Sequence, residues 1–200
     1  MKLHHSPTSP YVRKVMACAI LRGLEGRIET IATNPHQSPA HLLADNPLSR
    51  VPALVTDEGL ALFDSPVICE YLDSLGEAPR LFPPAGPARW VALKQQALAD
   101  GMLDAAVGRR LQMGLPQDEG RQASDARQKA AVERSLDLLE AEAAKLAGPL
   151  TIGSVAVVCA LGYLDFRFGA EDWRAAHSKL AAWLAGVAET PAFARTVPVG

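Results

Sequence analysis

The chain has 200 residues, 48% of them hydrophobic and 21% charged, and its 20 basic against 22 acidic side chains leave a formal net charge of −2. That balance excludes a disordered, collagenous or low-complexity protein and builds no electrostatic footprint for nucleic acid or an anionic membrane. Cys18, Cys69 and Cys159 form no CxxC pair and have no histidine at metal spacing, which argues against a disulfide framework or a structural zinc.

In chain order, Lys2–His5 reads as a short strand, and residues 10–24 as a helix with Val12, Val15, Met16, Ala19, Ile20 and Leu24 along one side; Gly23 or Gly26 can end it. Residues 27–32 alternate as a half-buried strand, and residues 39–44 form a short helix. Residues 53–56 and 60–63 flank Asp57-Glu58-Gly59 as a hairpin, and residues 65–75 are again helical. The order is β-α-β-α-β-β-α. Residues 76–87 then mix glycine and proline without periodicity, as a connector does.

Beyond the connector the pattern is helical throughout: residues 87–113, 128–146, 154–168 and 176–188. Alanine fills 8 of the first 80 positions but 26 of the last 120, which marks the change of regime. Residues 154–168 are apolar nearly all round and are expected to form the buried central helix. Their longest apolar run is about half a membrane span. The start of the chain has no apolar run of a signal peptide, and the chain reads as cytoplasmic, with neither nucleic acid nor membrane among its partners.

Three serine-proline pairs stand at expected helix starts: Ser9-Pro10, Ser38-Pro39 and Ser65-Pro66. Serine favours the N-cap and proline the first helical position, so capping alone accounts for Ser38. The other two have company. Ser9 follows the first strand within Ser6-Pro-Thr-Ser-Pro-Tyr-Val-Arg-Lys-Val15, and Ser65 follows the hairpin within Phe63-Asp-Ser-Pro-Val-Ile-Cys-Glu-Tyr-Leu72. Between them lies Asn46-Pro-Leu-Ser-Arg-Val-Pro-Ala-Leu-Val55, where Pro52 marks an exposed strand start and leaves the Val51 backbone free to pair with an extended ligand. The adjacent His4 and His5 alternate across a strand, so the histidines suggest no metal site.

These three motifs in order, the connector and the helical second part resemble, from end to end, the cytosolic glutathione S-transferases of the bacterial serine type. The resemblance implies an α/β thioredoxin-like domain over residues 1–77, a linker at 78–86 and an all-helical domain over 87–200. It also implies a cis Val51-Pro52 bond. Glutathione is the implied co-substrate, with no metal, a small electrophile as second substrate, and a homodimer as the assembly. Carried over by position, Ser9 directs its hydroxyl at the glutathione sulfur, whose thiol titrates near ~8.5 when free; Thr8 and Ser6 stand close enough to take that role instead. Val51 pairs with the cysteinyl backbone through its main chain, Asp64 and Ser65 hold the γ-glutamyl end, and His36 and Arg50 stand where the family reaches the glycyl carboxylate. Tyr11 faces the site or packs, Arg13 decorates the exposed face of the first helix, and Asp100, four residues before Asp104, is a candidate for the ligand amine or the dimer partner.

Two departures bear on function. The cysteines lie within apolar runs or on the first helix, away from the catalytic turn, so thiol exchange through the protein is not expected. The central helix also lacks a capping box reading from Ser154, because Val157 stands where an acid would close it. The resemblance supports an enzyme that stabilises the glutathione thiolate and transfers it to an electrophile, or reduces a peroxide or disulfide with it. A non-catalytic interaction module of the stringent starvation protein type is the alternative.

Overall fold

In the computed structural model, which describes residues 1–199, the chain divides into two units. One comprises residues 1–86 and the segment from Thr190 onward; the other comprises residues 87–189.

The first unit follows the expected order: β1 (Lys2–His5), α1 (Pro10–Leu21), β2 (Glu29–Ala32), α2 (Ala40–Asp45), β3 (Ala53–Val55), β4 (Ala61–Leu62) and α3 (Ser65–Leu75). The sheet runs β2-β1-β3-β4, with β1 parallel to β2 and antiparallel to β3, and β3 antiparallel to β4. Leu3 and Leu54 stand opposite each other in the central pair and are fully buried. Val15, Cys18, Ile68, Cys69 and Leu72 bury the facing sides of α1 and α3, so the alternation of one element and the helical period of the others close a single core.

Helix α1 stops at Leu21 rather than Leu24. Gly23 adopts φ +72°, and the Gly23 and Leu24 amides donate back to the Ile20 and Ala19 carbonyls at 3.0 and 2.8 Å, which closes the last turn. The chain then makes a 3₁₀ turn over Glu25–Arg27, which delays β2 to Glu29. Next to this end, the buried Arg22 guanidinium pairs with Asp73 on α3 at 3.0 Å and also reaches the Gly76 carbonyl. The Asp73 carboxylate accepts from the Leu81 and Phe82 amides at 2.8 and 3.3 Å. Leu81 and Phe82 are buried as well, so this part of the expected linker is fastened to the first unit.

Three further expectations are corrected in this unit. Pro52 precedes β3, which is an interior strand, and both Val51 and Pro52 are buried; the ladder tolerates the proline because it lies ahead of the first paired residue. The tail belongs here and not with the helical bundle: Pro191 opens a separate short helix (Pro191–Ala194) whose Ala192 and Phe193 are buried. Arg13 is half-buried and donates to the Phe193 carbonyl at 3.4 Å, while Arg195 pairs with Glu25 at 2.6 Å. Alanine content does not distinguish this tail from the bundle, but the proline and the buried phenylalanine do.

The second unit holds α4 (Gly86–Gln112), α5 (Glu119–Ala141), α6 (Ile152–Phe168), α7 (Trp173–Ala176) and α8 (Ser178–Ala188). Helix α5 starts nine residues before the expected Gln128, because Asp118 caps it by accepting the Arg121 amide at 2.8 Å in a stretch too polar to show a period. It ends at Ala141 and passes into a 3₁₀ turn over Ala143–Leu146. Helix α6 starts two residues earlier than expected and does have a capping box: Thr151 and Ser154 satisfy each other's amides at 3.4 and 2.8 Å. The cap is Thr151, three residues ahead of Ser154. On through Glu171, this segment is long and apolar enough to cross a membrane, but 72% of the window is buried inside the protein, as the core helix of a bundle is. Arg109 on α4 joins Asp125 at 2.9 Å and Glu171 at 2.6 Å and lies 4.6 Å from the centre of the Phe168 ring. His177 interrupts the expected helix 176–188 by bonding the Trp173 carbonyl at 2.7 Å and Asp137 at 3.1 Å.

Candidate functional site

The strand registers bring the three motifs of the first unit to one end of the sheet. His4 is opposite Ala53, so the carboxyl end of β1 lies beside the start of β3; Leu62, at the end of β4, is opposite Leu54. His5 is paired with Ala32, so the exit of the parallel strand β2 lies there too. The Ser6–Ser9 turn, the Val51-Pro52 entry to β3, the Asp64-Ser65 start of α3 and the segment after Ala32 therefore all leave the sheet at the same end. This is where an α/β sheet places ligands.

Ser9 is the N-cap of α1, with φ −80° and ψ 120°, and its Oγ accepts the Val12 amide at 3.3 Å. The turn before it is closed by the Ser9 amide donating to the Ser6 carbonyl at 3.1 Å. A serine that accepts through its oxygen keeps its own proton to donate, so capping and donation to a ligand are compatible roles. Thr8, Ser9 and Tyr11 are half-buried, and no acidic side chain neutralises the first turn of α1. Val51-Pro52 is a cis peptide, as the resemblance implies.

At α3 the expected cap is shifted by one residue. Asp64 is the N-cap, Ser65 the first helical residue and Pro66 the second. The Asp64 carboxylate makes no bond to its helix and is exposed, whereas Ser65 is buried. The helix ladder begins with the Ile68 amide on the Asp64 carbonyl at 3.1 Å, so the Ser65 and Val67 amides lie ahead of it with the positive end of the dipole. Ser38 does not cap α2: it adopts φ +45°, Pro39 takes the cap position, and the Ser38 hydroxyl instead pairs with the Ser49 hydroxyl at 2.9 Å.

His36 and Arg50 are both exposed, and the chain between them folds back on itself. Ser49 Oγ donates to the Pro35 carbonyl at 3.0 Å, which ties the neighbour of Arg50 to the neighbour of His36. Asn46 accepts the Leu48 amide at 3.0 Å and donates to the Arg50 carbonyl at 2.9 Å. The Asn-Pro pair signals this side-chain turn in the sequence, but its reach to Arg50 does not show there. Asp100 lies on α4 in the second unit and is half-buried. Burial lowers the proton affinity of His5, and a hydrogen bond with Cys69 together with burial pushes the Cys18 thiol well up. All three cysteines are buried, and among the described residues no group of three His, Cys, Asp or Glu side chains is placed to hold a metal ion.

The comparisons agree along the whole chain. Residues 8–75 match the family model for the glutathione S-transferase N-terminal domain, and residues 118–186 match that for the C-terminal domain. The uncharacterized GST-like protein YibF of Escherichia coli K12 is 33% identical over 99% of this chain and 98% of its own. A crystal structure of a glutathione transferase family member from Pseudomonas fluorescens Pf-5 with bound glutathione superposes with a TM-score of 0.93 at 41% identity, covering 100% of this chain and 99% of that one. A glutathione S-transferase from Methylobacillus flagellatus KT with glutathione bound gives a TM-score of 0.89 at 32% identity, covering 99% of each chain. With a mixed four-stranded sheet in its first unit, a helical second unit and full-length relatives above 30% identity, this chain belongs to the glutathione S-transferase family.

Proposed function

We propose that the protein binds glutathione at the convergent end of its sheet, stabilises the thiolate, and transfers it to a small electrophile or uses it to reduce a peroxide or disulfide. The convergence of Ser9, the Val51-Pro52 entry and the α3 start at one sheet end carries this reading. Ser9 donates its hydroxyl to the sulfur at the unneutralised start of α1, and both lower the cost of the anion. Val51 pairs with the cysteinyl backbone. Ser65 and the first amides of α3 take the γ-glutamyl carboxylate, and the exposed Asp64 carboxylate meets the ammonium. His36 and Arg50 receive the glycyl carboxylate from their shared, stapled segment. Thr8 and Tyr11 border the sulfur. Catalysis on this reading is positioning plus thiolate stabilisation.

The protein acts in the cytoplasm as a homodimer, a reading supported by the large apolar side chains exposed in each unit: Leu48, Leu60 and Val67 in the first, Trp90 and Val91 in the second. Monomeric mass by light scattering at micromolar concentration would remove the dimer. Calorimetric titration of glutathione into wild type and Ser65→Ala tests the binding site: affinity that weakens in the variant supports it, and no detectable heat at millimolar glutathione turns the reading toward a non-catalytic interaction module.

A further inference from the structure

Within the second unit, the last turns of α4 and α6 lie level with each other, since Arg109 on α4 reaches the Phe168 ring of α6 at 4.6 Å. Three side chains converge at this level. Tyr163 and Arg167 stand one turn apart on α6, and Arg110 comes from α4; the charges of both arginines act on the Tyr163 phenol. Tyr163 is buried, Arg167 is half-buried and Arg110 is exposed. The Arg167 guanidinium carbon lies 3.9 Å from the centre of the Phe166 ring, a stacking that holds the planar fork in place without neutralising it.

Two cations around one phenol call for an anion, and the nearby acids are engaged elsewhere. Asp165 bonds Arg174 at 2.7 Å and the Trp173 indole at 2.8 Å, while Glu171 and Asp125 bond Arg109 at 2.6 and 2.9 Å. Among the described residues neither Arg110 nor Arg167 has a carboxylate partner, and Arg167 Nε is buried with no hydrogen-bond partner. An orphaned donor on a charged group is costly, and like charges held near one another repel. Burial raises the Tyr163 phenol above its usual range against the pull of the two arginines, so it keeps its proton and can donate too. Beside these donors runs apolar surface: Val107, Arg110 and Leu111 share one face of α4 at helical spacing, and Leu111 is 54% exposed.

We propose that Arg110, Arg167 and Tyr163 form a binding site for the carboxylate of a small organic acid with an apolar body. The two guanidiniums take the carboxylate oxygens in charge-assisted hydrogen bonds, Arg167 from its fixed place on Phe166, and the Tyr163 hydroxyl adds a donor. The body of the acid lies along Val107 and Leu111, which favours an organic acid over an inorganic anion that would lose its own hydration there. All of these residues belong to the second unit, so the site stands whether or not the first unit binds glutathione. The repulsion between the arginines also separates a ligand site from a structural one. An arginine kept for the fold lowers stability when it is removed, whereas removing the exposed Arg110 relieves the free protein of repulsion and abolishes binding.

The test is calorimetric titration of the full-length protein with phenylacetate, with phenylacetamide as its uncharged counterpart, and with inorganic phosphate. Wild type is expected to bind the acid about tenfold more tightly than the amide, the equivalent of one hydrogen bond to a charged group. Arg110→Gln and Arg167→Gln should each lose that preference while leaving affinity for the amide unchanged, and Arg110→Gln should unfold at or above the wild-type Tm without ligand. Arg174→Gln, which removes a neighbouring cation already paired with Asp165, should keep the preference. Equal affinity of wild type for acid and amide, binding of phosphate without binding of the acid, or no detectable heat with millimolar phenylacetate would overturn the site. So would a preference that survives both Arg110→Gln and Arg167→Gln, or one that Arg174→Gln abolishes equally.

Discussion

Replacing Ser9 separates two jobs that one hydroxyl performs. As N-cap it accepts the Val12 amide at 3.3 Å, a long bond, so the cap is worth the lower part of its usual range, ~0.5–1 kcal/mol, or about 1–4 °C in Tm for a chain of this size. As donor to a thiolate it makes a charge-assisted bond of ~1.5–3 kcal/mol, and its loss raises the thiol pKa of bound glutathione by about 1–2 units. Alanine removes both contributions. Glycine removes the hydroxyl yet caps to within a few tenths of a kcal/mol of serine. Thiolate absorbance of bound glutathione is followed against pH, and thermal unfolding is measured without ligand. Ser9→Ala and Ser9→Gly should raise the thiol pKa equally, while Ser9→Ala alone loses the cap contribution to Tm. An unshifted thiol pKa in both variants would refute the donor role and leave Ser9 a cap, with Thr8 the next hydroxyl to test.

Other predictions concern the scaffold. A Cβ on Gly76 would stand 2.5 Å from the Arg22 carbonyl oxygen, and one on Gly153 would stand 2.7 Å from the Ala92 carbonyl oxygen, so alanine at either position should cost ~1–3 kcal/mol by chemical denaturation. Wild-type stability in either variant would show that the backbones yield. Arg109→Met should lose ~2 kcal/mol at neutral pH, because the guanidinium bonds two carboxylates. Arg109 holds the Glu171 carboxyl below its usual range, so the pair's contribution is present above the unfolded-state value and lost as the pH falls through the folded one. The stability gap between Arg109→Met and wild type should close in acid; a gap independent of pH would exclude the ion pair as its source. Finally, the buried Cys18, Cys69 and Cys159 should resist thiol reagents in the native protein and react only on unfolding, as free-thiol titration with and without denaturant would show.

The elements and their order follow from the chain itself because each carries a local signal. Alternation marks β1, the Asp57–Gly59 turn with Gly59 at φ +85° joins β3 to β4, and period and proline place α3 at Ser65–Leu75. The residues of the glutathione motifs are equally legible, since serine-proline starts and Val51-Pro52 are contiguous. The first turns of α5 lack such a signal, being polar all round, and so does the tail, whose place is set by Phe193 finding a buried position in the first unit. The sheet registers alone bring three motifs, spread from Ser9 to Ser65, to one end. The contact of His4 with Asp45 at 2.7 Å is likewise invisible along the chain, because the two stand 41 positions apart. A side chain's local preference depends on its neighbours in sequence, but the partners of a buried polar side chain depend on what the fold sets against it, and only tertiary structure decides that.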